Sequence, residues 1–194
     1  MSQLENGCLC MFSKIMLTVG LVIGIGLSTT CHAKPGWIFG GGHGQEYEET
    51  YQNSAVLIGF PGWDLVKANP KLFFGIQPYY SFWHAHAAAH TQNHIVWLNL
   101  EGKAYFFEPS TASMSPYLLV QFGPSWLSNK LFGQRHLGAH WALATTVNVG
   151  VEVPATKQWR WDVRLGLLHI CNAGLAKPNK AFNLPLVLQI GMVL

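Results

Sequence analysis

Charge is scarce in this 194-residue chain: Asp, Glu, Lys and Arg together make up 11%, against roughly 25% in an ordinary soluble domain. The net charge of +3 is not concentrated in any basic run. That excludes a phosphate-tracking surface and with it a nucleic-acid partner. The chain is 49% hydrophobic and 13% aromatic, which excludes disorder, a state of low hydrophobicity and high charge. Beyond the N-terminal region no stretch of eighteen apolar residues occurs, so no helix there is read as crossing a bilayer. Carboxylates are absent after Asp162, which limits the acid–base chemistry of the last strands.

Cysteine is scarcer than its count of four suggests. Lys14 precedes the apolar stretch Ile15 to Leu27, followed by Ser28-Thr29-Thr30-Cys31-His32-Ala33. A basic flank, a short apolar core and a small residue at the cut read as a secretory signal over residues 1–33. The apolar core is too short for the ~20 residues a membrane-spanning helix needs. Met11 is an alternative start. Removal of 1–33 takes Cys8, Cys10 and Cys31 with it and leaves Cys171. A chain of residues 34–194 therefore has no intramolecular disulfide and no zinc site built from several thiolates.

What is present is alternation of period two, the mark of strands with two unlike faces. Val147, Val149, Val151 and Val153 alternate with Thr146, Asn148, Gly150 and Glu152. Trp161, Val163, Leu165 and Leu167 alternate with Arg160, Asp162, Arg164 and Gly166; Val96, Leu98 and Leu100 alternate with Trp97, Asn99 and Glu101. Leu184, Leu186, Leu188, Ile190, Met192 and Leu194 are expected on one face of the last segment. Eight segments emerge, at 36–44, 52–61, 71–83, 94–106, 116–127, 142–153, 158–171 and 183–194. Tilted strands need ~9–11 residues to span a membrane. An even number of them behind a secretory signal predicts an all-β fold, an eight-stranded antiparallel transmembrane outer-membrane β-barrel. A soluble sandwich also alternates, but low charge and one-sided polarity favour the membrane form. Trp37, Tyr79, Tyr80, Trp83, Trp126, Trp159 and Trp161 are expected in interfacial girdles. With a periplasmic N-terminus, 62–70, 107–115 and 154–157 are periplasmic connections. Segments 45–51, 84–93, 128–141 and 172–182 are external, which puts the end of the seventh strand at the outer leaflet.

His169 and Cys171 are two residues apart and share a strand face with Trp161, Val163, Leu165 and Leu167, the lipid-facing one. Polar groups on such a face are functional candidates. An imidazole beside a thiol is the minimum for nucleophilic acyl transfer.

The stretch His169-Ile170-Cys171-Asn172-Ala173-Gly174-Leu175-Ala176-Lys177-Pro178-Asn179 resembles the active-site stretch of the bacterial lipid A 3-O-deacylases, the PagL-like family also called acyloxyacyl hydrolases. Its pattern is H-x-S-N-A-G-L followed by P-N. The resemblance extends to Leu137-Gly138-Ala139-His140 and Gly150-Val151-Glu152. It implies an outer-membrane hydrolase of carboxylic esters, acting through a covalent acyl-enzyme and a Ser-His-Glu triad, with no metal and no cofactor. Its partners are lipid A, as part of lipopolysaccharide, and outer-membrane lipid. A homodimer through the barrel wall is left open.

Carried over by position, His169 matches the general base and Cys171 stands in place of the nucleophilic serine. Asn183 stands in place of the glutamate. Asn172, Gly174 and Asn179 match the oxyanion and substrate region. Because no acid follows Asp162, and Asp162 faces the opposite side of its strand from His169, the set is His-Cys-Asn. That set is chemically coherent, since papain-like proteases use the same three types. The alternative is a catalytically degenerate member, a structural or lipid-binding barrel. His84, His86, His90 and His94 crowd one external loop, where metal binding is the minor reading. Lys130, Arg135 and Lys177 are expected on external loops, available to lipid A phosphates.

Overall fold

A computed structural model describes residues 32–34, 36–45, 52–86 and 90–194. The signal segment lies outside the described residues as far as residue 31. Twelve strands are present among the described residues. They are β1 (His32–Lys34), β2 (Gly36–Gln45), β3 (Gln52–Gly59), β4 (Gly62–Asn69), β5 (Leu72–Ala85), β6 (Gln92–Tyr105), β7 (Ser115–Leu127), β8 (Leu131–Phe132), β9 (Arg135–His136), β10 (Trp141–Pro154), β11 (Arg160–Cys171) and β12 (Phe182–Val193). Eight long ones, β2, β3, β5, β6, β7, β10, β11 and β12, pair antiparallel in sequence order. β12 returns to β2, closing the barrel. Closure pairs the strand edges, which a lipid environment demands.

The expected eight strands are there, with one correction at the second. Segment 62–70, read above as a connection, is the strand β4. It lies against the first half of β5 (Trp63 opposite Ile76, Asn69 opposite Leu72), while β3 lies against the second half (Gly59 opposite Tyr79, Asn53 opposite Ala85). β3 and β4 thus form one long strand broken at Phe60-Pro61. Pro61 has no N–H for a ladder, and the Phe60 N–H donates instead to the Pro78 carbonyl at 2.9 Å. β1 extends β2 in the same way, pairing with Gly62–Asp64.

The two faces sort as the alternation predicts. Val96, Leu98, Leu100, Leu165, Leu186, Leu188 and Ile190 are exposed on the outer wall. Inside, Arg164 donates to Asp162 Oδ2 at 2.7 Å, and Lys103 donates to Glu152 Oε1 at 2.7 Å. The Tyr105 hydroxyl donates to the same Glu152 oxygen, and the Tyr117 hydroxyl donates to Asp162. Charges so deep inside are tolerated only when paired. This network fills the barrel centre, leaving no room for a pore. Two girdle expectations are corrected here: Trp83 and Tyr79 point inward and are buried. The Trp83 indole N–H donates to Ser81 Oγ at 2.8 Å. Trp37, Trp126 and Trp161 are exposed on the outer wall.

Connections at the β1 end span residues 70–71, 106–114 and 155–159, whereas the opposite end carries the longest spans, 128–140 and 172–181. Barrels of this kind keep short turns on the periplasmic side, which puts the end of β11 at the outer leaflet. There the segment 128–140 is not an open loop. It folds as the hairpin β8–β9 over the barrel mouth and buries Phe132, Arg135 and Leu137. Phe132 packs edge-on against Trp83 and Phe182, with ring centroids 5.9 and 5.4 Å apart. Arg135 is therefore corrected from a phosphate-facing cation to a brace: its guanidinium donates to the Ala181 carbonyl at 2.8 Å.

Candidate active site on the outer wall

The site is built by three neighbouring strands and one loop. β11 carries His169 and Cys171 on its outer face, at the outer-leaflet end. β12 carries Asn183, which stands directly opposite His169 in the ladder. The two side chains meet: His169 Nδ1 lies 2.6 Å from Asn183 Oδ1. An amide oxygen only accepts, so Nδ1 is the donor in this contact and Nε2 is left on the far side of the ring from Asn183.

A bulge makes this meeting possible. Gly166 pairs with Val187, but Leu168 pairs with Leu184, so two steps on β11 face three on β12. Pro185 sits in the extra residue, where its missing N–H costs no ladder bond. The bulge reverses the parity of β12 before Leu186. Leu184 is therefore corrected from the outer face to the buried interior, while Leu186, Leu188 and Ile190 stay outside. By the same reversal Asn183 turns outward beside His169.

Cys171 ends β11 opposite Leu143 and is 2% exposed. It is thus on the lipid-side face but covered, rather than open to acyl chains as its face alone implied. His169 is half-buried. On its other flank, Thr145 of β10 stands in register with His169. Sequence reading passed over it, although its place among the outward valines of β10 was legible from the alternation.

The loop 172–181 is held by Asn172, which is fully buried. Its Nδ2 donates to the Leu137 carbonyl and, at 2.7 Å, to the Ala176 carbonyl. Its Oδ1 accepts the Gly174 N–H at 2.9 Å, and its own N–H donates to Asn179 Oδ1 at 3.0 Å. The side-chain donors of Asn172 and the N–H of Gly174 are therefore engaged within this loop and with Leu137 of the 128–140 segment. Asn179, with its oxygen engaged, is half-buried and keeps its Nδ2 for other acceptors. Gly138 explains the fit of the two loops. Its φ of +73° suits glycine, and a Cβ there would lie 2.8 Å from the Lys177 and Pro178 carbonyls. Leu137-Gly138 and the run from His169 to Asn179 thus meet in space.

The remaining candidates lie apart. The His84 and His86 rings are 4.9 Å apart, and His94 Nδ1 is 2.7 Å from the Tyr80 hydroxyl. Among the described residues no three His, Cys, Asp or Glu side chains converge as metal ligands. Lys130 and Lys177 are exposed. A cavity of about 130 Å³ lined by Asp64, Glu101, Lys103, Tyr105 and Glu152 opens at the opposite end of the barrel and is unrelated to His169.

A closed eight-stranded barrel with an apolar outer wall defines an outer-membrane β-barrel protein. The family model of lipid A 3-O-deacylase (PagL) matches residues 23–187, and the chain belongs to that family. Among solved structures, the outer-membrane enzyme PagL is similar with a TM-score of 0.62 at 20% identity, over 82% of this chain and 98% of that one. The N-terminal barrel domain of Pseudomonas aeruginosa OprF follows with a TM-score of 0.43, at 11% identity over 84% of this chain and 100% of that one. OprG of the same organism has a TM-score of 0.45, at 9% identity over 84% and 96%. A comparison with curated proteins returns no significant match.

Proposed function

We propose that this protein hydrolyses an acyl ester of lipid A in the outer leaflet, with Cys171 as nucleophile, His169 as general base and Asn183 as the group that orients it. The observation that carries the reading is the His169–Asn183 contact at 2.6 Å. It holds the ring in the tautomer whose Nε2 accepts a proton, on the face that also carries Cys171.

The chemistry balances in two steps. His169 Nε2 takes the thiol proton and the sulfur attacks the ester carbonyl carbon. The C–O bond to the sugar breaks, and the proton passes to the departing alkoxide. Water then attacks the thioester, giving its proton to His169; the C–S bond breaks, and the proton returns to sulfur. A thiol ionises far more readily than a hydroxyl, so an amide suffices where a serine needs a carboxylate behind its histidine. We assign the oxyanion contact to Nδ2 of Asn179, and to Asn172 and Gly174 the shaping of the loop that presents it.

The burial of Cys171 to 2% exposure favours a second reading, a degenerate member that binds lipid without cleaving it. Expression in a bacterial outer membrane followed by mass spectrometry of its lipid A separates the two. The hydrolase reading expects loss of one acyl chain with the wild type and none with Cys171→Ala. Unaltered lipid A with both proteins leaves the degenerate reading.

A further inference from the structure

The outward face of β10 reads Trp141, Leu143, Thr145, Val147, Val149, Val151 and Val153. Thr145 is its polar exception, and it does not fall at random. It stands in register with His169, which stands in register with Asn183. Three polar side chains therefore form one row across three strands, surrounded by Leu143, Val147, Leu167 and Leu186. Directly opposed residues hold their Cβ atoms about 4.5–5.5 Å apart, so the hydroxyl is within one side chain's reach of the imidazole. Asn183 occupies Nδ1 from the β12 side, and Thr145 flanks the ring from the β10 side. Among the described residues the Thr145 hydroxyl makes no hydrogen bond. A hydroxyl facing lipid loses hydration without recompense unless something polar comes to it.

We propose that Thr145 is a substrate-binding residue whose hydroxyl hydrogen-bonds the polar, ester-bearing part of an acylated sugar lipid seated across β10–β12. The inference rests on the reading of this row as a lipid-ester site and adds its third polar contact. The outer face of β10, rather than the loops alone, then sets where the sugar stops and the acyl chain begins.

The test is a binding measurement in which turnover plays no part. Cys171→Ala protein, refolded in detergent, is titrated with purified lipid A. The same is done with Cys171→Ala/Thr145→Val and Cys171→Ala/Thr145→Ser. The valine variant, nearly isosteric, is expected to bind about fivefold to tenfold more weakly, the usual worth of one hydrogen bond. The serine variant is expected to stay within twofold. The heat-modifiable gel shift of a folded barrel checks that all three are folded. Equal affinities for the three proteins, or no binding by any, overturn the proposal. Wild-type turnover of the same lipid A is followed in parallel. A Thr145-dependent affinity without turnover sustains this inference and defeats the hydrolase reading; turnover with no Thr145 dependence does the reverse.

Discussion

His169 and Asn183 stand opposite each other across the β11–β12 ladder, with Nδ1 and Oδ1 2.6 Å apart. In the proposed mechanism this amide takes the orienting role that the resemblance gives to a carboxylate. An amide oxygen fixes the imidazole tautomer but stabilises a protonated ring less than a carboxylate does. Asn183→Leu is expected to lower kcat by about tenfold to a hundredfold, the loss of one half-buried orienting hydrogen bond. Asn183→Glu is expected to match or exceed the wild-type rate. Both are measured as release of fatty acid from lipid A in detergent.

The nucleophile and its support are expected to be coupled. Cys171→Ser places a poorly ionised hydroxyl beside a base backed only by an amide, and about a hundredfold loss in kcat is expected. The double variant Cys171→Ser/Asn183→Glu is expected to recover much of it. Effects of the two substitutions that simply multiply would contradict a shared mechanism, because groups acting as a unit are not additive.

The bulge at Pro185 is the hinge on which the site depends. Deleting Pro185 restores the simple register between β11 and β12, turns Asn183 inward and leaves His169 without its partner. Activity is expected to fall at least as far as in Asn183→Leu, while the barrel still shows its heat-modifiable gel shift. Activity near wild type after the deletion would show that the outward turn of Asn183 is irrelevant.

This bulge also marks the limit of what was legible. Strict period two groups Leu184 with Leu186 and Leu188, and by that count Asn183 faces inward. Only the pairing of Leu168 with Leu184 beside Gly166 with Val187 reveals the change of face. β4 was missed for a related reason: Gly62-Trp63-Asp64-Leu65-Val66-Lys67 does not alternate, since its register against β5 shifts twice. The hairpin of residues 131–136 is stabilised by long-range contacts of Phe132 and Arg135, which leave no local pattern. By contrast, Asp162 and Arg164 against Leu165 and Leu167 were read correctly, because β11 keeps its parity from end to end.

The barrel centre carries its own prediction. Asp162 faces Arg164 at 2.7 Å and Lys103 at 3.5 Å. Asp162→Ala leaves both cations buried with one partner fewer. It is expected to destabilise the barrel by about 3–5 kcal/mol, the usual result of breaking a buried pair from one side. Urea unfolding of the refolded protein in lipid vesicles measures this, and a change under 1 kcal/mol would mean the network is slack.

The central claim is that Cys171 carries the acyl group between the two steps. Refolded protein is mixed with lipid A, quenched in acid within the first turnovers and weighed intact. The account predicts a mass increase equal to one fatty acyl chain, localised to the peptide bearing Cys171, abolished by Cys171→Ala and discharged by hydroxylamine at neutral pH, as a thioester is. Fatty acid released equally by the wild type and by Cys171→Ala, with no acylated Cys171 peptide in either, would contradict it.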